Sequence, residues 1–177
     1  MELRQRIWNV MGEARRQSAA ESFWEDPAQR PVHPQVEALL AQRLKARPVF
    51  IRRLPVQRKA AYLSREMATN PQLWEAAMTA YHFAGHRSML TDFLNALGIA
   101  HENGHYDLPD SVEPPSTEML EAAVQQLLEK YRRADVAVYL GALVIQDARF
   151  WANLRPTAER ILSEAESDLS VPPPTLE

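Results

Sequence analysis

Proline divides this chain. The 13 prolines gather at Pro27, Pro31 and Pro34, at Pro48 and Pro55, at Pro71, at Pro109, Pro114 and Pro115, at Pro156, and in the closing SVPPPTLE. Each fixes φ and removes a backbone donor, so each ends a helix or opens one rather than sitting inside it. Between these stops Ala, Leu, Glu, Gln and Arg recur, β-branched residues are sparse and glycine is held to five. Good helix formers bounded by stops predict an all-α fold, a helical bundle of about seven to eight helices.

Periodicity places the helices. Leu3, Ile7, Val10, Met11 and Ala14 recur at helical spacing, predicting an amphipathic helix over 2–24 followed by a proline-rich arm. A short helix is expected over 35–46. Val49-Phe50-Ile51, bracketed by Pro48 and Pro55, is the one β-like cluster and reads as a buried connector. Helices then follow over 56–69, 71–84 and 88–97, the Asn70-Pro71 step serving as both stop and start. Gly98, Asn103-Gly104 and the prolines to Pro115 make 98–116 the longest irregular stretch. Ser116 or Thr117 caps a helix to about Arg132, 136–145 is nearly all apolar and reads as a core helix, and 148–165 breaks at Arg155-Pro156. The expected organisation is an N-terminal helix and arm over 1–26, a helical core over 34–165 and a flexible tail over 166–177.

One internal similarity stands out. Ala60-Ala61-Tyr62-Leu63 followed by Leu73-Trp74 parallels Ala137-Val138-Tyr139-Leu140 followed by Phe150-Trp151, with the same Tyr-to-Trp spacing. A duplicated helix pair is one reading, with both Tyr and Trp pairs in equivalent core sites; coincidence in an Ala- and Leu-rich chain is the other.

Charge is distributed unevenly. Residues 1–65 hold 13 Lys and Arg against 6 Asp and Glu, and residues 66–177 hold 7 against 17. Arg43, Lys45, Arg47, Arg52, Arg53, Arg58 and Lys59 run together without an acidic residue, a candidate polyanion-binding face. Nucleic acid is not favoured as the ligand, because no binding motif or series of aromatics accompanies the charges.

Histidine supplies the other chemical signal. His82 with His86, and His101 with His105, are each spaced i, i+4, so within a helix each pair would share a face suited to zinc, iron or nickel. Asp92, Glu102 or Asp107 could complete such a set. His101-Glu102-Asn103-Gly104-His105 matches the HExxH pattern literally, but that motif needs a helix and Asn-Gly is a turn signal, so a zinc protease is not expected. His33, between Val32 and Pro34, reads as a surface residue.

Other chemistries are excluded by what the sequence lacks. Without cysteine there is no thiol nucleophile, disulfide scaffold or cysteine-ligated zinc. No glycine-rich phosphate loop, GxSxG elbow or EF-hand loop is present. No apolar run is long enough for a membrane span, and the N-terminus lacks the apolar core of a signal peptide, so a cytoplasmic protein without a membrane partner is expected. The leading expectation is a noncatalytic helical interaction protein, self-associating as a homodimer or binding another protein. The alternative is a metal-dependent helical enzyme or metal-binding protein using the histidines.

Overall fold

The structure is a computed structural model that describes residues 2–108 and 112–170. Among the described residues there are nine α-helices and no strand, only one isolated bridge between Glu102 and His105. The chain divides into two compact units. Gly12–His86 makes an inserted unit, while Met1–Met11 together with Arg87–Glu177 makes a split unit.

The chain enters the inserted unit within α1 (Leu3–Glu25). At Gly12 the backbone leaves the helical region, with φ 65 and ψ 176, so α1 consists of two helical stretches rather than the continuous helix expected. Glycine has no Cβ to oppose a positive φ, and a lone glycine among Ala, Arg and Leu was the signal for the break. A 3-10 turn (Pro27–Val32) follows, capped by Asp26, whose Oδ1 accepts from the Ala28 amide at 2.9 Å. Then come α2 (His33–Arg43), α3 (Pro48–Arg53), α4 (Val56–Met67) and α5 (Pro71–Gly85).

In this unit α2 packs on α3 and on the 3-10 turn, and α4 packs on α5. The α4 helix buries Ala60, Leu63 and Met67, one stripe at i, i+3 and i+7, leaving Arg58 and Arg65 exposed. Asn70 caps α5 as its sequence foretells, its Oδ1 accepting from the Leu73 amide at 3.2 Å. His33 departs from expectation. Its Nε2 lies 3.1 Å from the Phe23 carbonyl and its ring packs on Phe23 and Trp24, with centroids 5.2 and 4.9 Å away. The prolines on either side turn the chain back over α1, so the imidazole is half-buried rather than a surface group.

The split unit contains the first stretch of α1 with α6 (Arg87–Ala96), α7 (Thr117–Lys130), α8 (Arg133–Gln146) and α9 (Arg155–Ser170). Nine consecutive residues of α8, from Val136 to Val144, are buried, the mark of a helix enclosed on all sides. Its main neighbour is α9. Gly141 lets α1 approach: a Cβ at that position would lie 2.5 Å from Cδ1 of the fully buried Ile7. Arg6 forks onto Glu166 at 3.1 and 2.8 Å, tying the same stretch to α9.

Ser116 caps α7 through its Oγ, which accepts from the Met119 amide at 3.3 Å. Before it, Tyr106 Oη accepts from Trp151 Nε1 at 3.3 Å and the Pro115 carbonyl accepts from Asn153 Nδ2 at 3.0 Å. Pro156 stands in the first turn of α9, as expected of the Arg155-Pro156 step. That helix runs to Ser170, past the 165 expected from sequence, and 171–177 of the expected tail lie outside the described residues. The two Tyr and Trp pairs differ in setting. Trp74 and Trp151 are both fully buried, but Tyr139 is buried where Tyr62 is half-exposed, and Trp151 lies in a turn where Trp74 lies in a helix.

Candidate functional site

The histidines occupy two different environments. In α5, His82 is 4% exposed and its ring packs against His86, at the C-terminal end of the same helix, with centroids 6.0 Å apart. Burial, and next the neighbouring His86, push the His82 pKa down to about 3, against a hydrogen bond to the Met78 carbonyl that favours the proton. His82 is therefore a neutral core group throughout the physiological range.

His101 and His105 flank a turn rather than a helix. The Glu102 and His105 backbones exchange hydrogen bonds of 2.7 and 3.0 Å, with Asn103 at φ 52 and Gly104 at φ 89. His101 Nδ1 accepts from the Gly104 amide at 3.2 Å and its Nε2 lies 3.0 Å from Asn95 Oδ1, so both ring nitrogens are engaged locally. The HExxH string thus takes the turn that Asn-Gly foretold. Asp92 faces another way, its Oδ2 accepting from Tyr131 Oη at 2.8 Å and from Lys130 Nζ at 3.2 Å. The Tyr131 bond, aided by Lys130, holds the Asp92 carboxyl below its usual range, while burial and that same bond raise Tyr131 to about 12. Among the described residues no three His, Asp or Glu side chains are grouped so as to hold a metal ion.

The cavities offer little chemistry. One of about 220 Å³ in the inserted unit is lined by Phe23, Val36, Leu73 and the amides of Gln29, Asn70 and Gln72, with no titratable group. Another of about 360 Å³ in the split unit is lined by Arg4, Arg6 and Arg155, each of which already bonds a carboxylate.

The basic run of the inserted unit is more informative. Three of its seven cations are committed: Arg43 to Glu66 at 3.3 Å, Arg52 to the buried Glu37 at 2.9 Å, and Lys59 over the Trp24 ring at 4.5 Å. Lys45, Arg47, Arg53 and Arg58 are exposed and form no ion pair among the described residues. Arg47 occupies the N-cap of α3, and Arg58 stands in the first turn of α4. Positive charge at a helix N-terminus is disfavoured by about 0.3–1 kcal/mol, so these positions do not serve helix stability.

Amid these cations lies an apolar centre that the sequence reading missed. Val49-Phe50-Ile51 is not a buried connector but part of α3, because Pro48 fits a first helical turn. A helix turns successive side chains by about 100°, so only Ile51 reaches the core. Leu44, Val49 and Phe50 remain 39, 47 and 51% exposed. The signal was available in the proline before the cluster and the arginines after it, which mark a helical turn rather than a strand.

The fold and this site together define an all-α protein with a basic, apolar-centred surface. No family model, curated protein or solved structure matches the chain, and no helix among the described residues is long and apolar enough to cross a membrane.

Proposed function

We propose that this chain is a noncatalytic helical interaction protein that grips an acidic, partly apolar protein surface through the exposed face around α3. The observation that carries the reading is the concentration of Leu44, Val49 and Phe50 within seven residues, framed by cations that the fold leaves unpaired. Single exposed hydrophobic residues are ordinary, whereas clustered ones with arginine around them have the composition of an interface. Phe50 would supply the desolvated anchor, while Arg47 and Arg53 would meet carboxylates at the rim. A polynucleotide fits less well, since Phe50 is the only aromatic from 43 to 59 and offers no stacking series.

Calorimetric titration with a synthetic acidic amphipathic helix, and with its Glu-to-Lys counterpart as control, tests this. Phe50→Ser with Arg53→Glu weakens binding of the acidic helix by roughly tenfold or more. Equal binding of the two helices, or no loss in the variant, removes the proposal. The metal alternative rests on the His82 and His86 pair, whose rings are near enough to share one ion. A zinc titration that leaves Tm unchanged removes that alternative.

A further inference from the structure

We infer that the partner of the basic face is a second copy of this chain, presenting the acidic stretch that leads into and along α7. This rests on the function proposed above and adds the identity of the partner. The sequence holds two charge blocks of opposite sign and equal strength. Residues 38–65 carry eight Lys and Arg with no Asp or Glu, and residues 88–129 carry eight Asp and Glu with no Lys or Arg. Blocks of one sign repel themselves and are better satisfied by a surface of the other sign.

The acidic block is exposed in the same manner as the basic one. Glu113, Glu118 and Glu121 are exposed and form no ion pair among the described residues. Val112 and Met119 stand among them, 40 and 48% exposed. Each block therefore frames large apolar side chains that its own fold leaves in water, and the frames carry opposite charge. Contact between copies would bury Phe50 and Val49 against Met119 and Val112 and bring Arg47 and Arg53 to the glutamates. Such a contact joins two different surfaces, so the pair of copies together keeps one face of each kind available.

That asymmetry gives a decisive experiment. Sedimentation velocity of the full chain is expected to show a mass that rises with protein concentration at about 0.05 M salt and falls back at about 0.5 M salt. Arg47→Glu with Arg53→Glu disables the basic face, and Glu118→Arg with Glu121→Arg disables the acidic one. Each variant alone is expected to sediment as a monomer, whereas an equimolar mixture, which retains one intact face of each kind, forms a one-to-one complex. Circular dichroism melts establish that each variant folds; the neutral pair Arg47→Gln with Arg53→Gln replaces a reversal that does not, and then weakens association by roughly tenfold.

A mixture that stays monomeric overturns the inference, as does self-association that persists in both variants. A strictly monomeric wild type that still binds the acidic helix through Phe50 and Arg53 also overturns it, while leaving the proposed function intact. Loss of both behaviours removes the two together.

Discussion

In the split unit cations meet carboxylates: Arg6 with Glu166, Lys130 with Asp92, Arg133 with Glu164 and Asp168, and Arg160 with Glu164. In the inserted unit only Arg43 and Arg52 do so within the basic run, and Lys45, Arg47, Arg53 and Arg58 stand open to solvent. The apolar residues do not divide in the same way. The split unit encloses α8 along nine consecutive positions but leaves Val112, Met119 and Leu169 exposed, and the inserted unit leaves Leu44, Val49 and Phe50 exposed. Charge balance runs the same way as the ion pairing, since the inserted unit has eleven Lys and Arg against seven Asp and Glu, and the split unit nine against sixteen. Of the seven carboxylates, Glu37 and Glu66 already meet Arg52 and Arg43. One unit ties most of its cations to carboxylates, and the other leaves four of its own open to solvent.

The largest test of this comparison concerns the core of the inserted unit. With its pKa held near 3, His82 refuses a proton that the unfolded chain accepts below about 6.5. Above that pH both states are neutral and there is no effect. As pH falls from about 6.5 toward 3, stability is lost at up to about 1.4 kcal/mol per pH unit. Urea denaturation across this range should show a shallower loss for His82→Leu than for wild type; parallel curves would mean that His82 titrates in the native state and that this core is open to water.

A smaller effect tests the enclosure of the split unit. Gly141→Ala drives a Cβ into Ile7 and is expected to cost about 1–3 kcal/mol, with Ile7→Val on the same background recovering part of it. Additive losses in that double-mutant cycle would break the assignment of the first stretch of α1 to this unit. The smallest effect belongs to the open face. Val49→Ser or Phe50→Ser should change stability by no more than about 0.5 kcal/mol, because neither side chain contributes to a core. A thermal melt showing a loss of several degrees would mean that those residues do support the fold.

The helices were legible because proline and capping chemistry act locally. Asn70, Ser116 and Pro156 mark boundaries where the structure has them, since a cap depends on three or four adjacent residues. The extra helix, α3, was not read, because a triplet such as Val49-Phe50-Ile51 has no period long enough to separate strand from helical turn. Gly12 was also passed over, as the apolar spacing continues across it although the backbone does not. For the candidate site, the seven cations could be read as a block, but which of them were already paired depended on Glu37, Glu66 and Trp24 arriving from other helices. Likewise the spacing of His101 and His105 was visible at once, whereas the bond from His101 to Asn95 needed the preceding helix in place.

The interruption at Gly12 also bears on how the chain is made. Residues 3–11 are made before the inserted unit, yet the helices they pack against, α8 and α9, are made after it. The inserted unit, by contrast, is one continuous stretch and can fold as soon as it emerges. Throughout that interval Ile7 lacks the surface of Gly141, and Arg6 lacks Glu166. A stretch made before the inserted unit thus finds its neighbours only after that unit is complete, when the final turns of α9 bring Glu166 to Arg6.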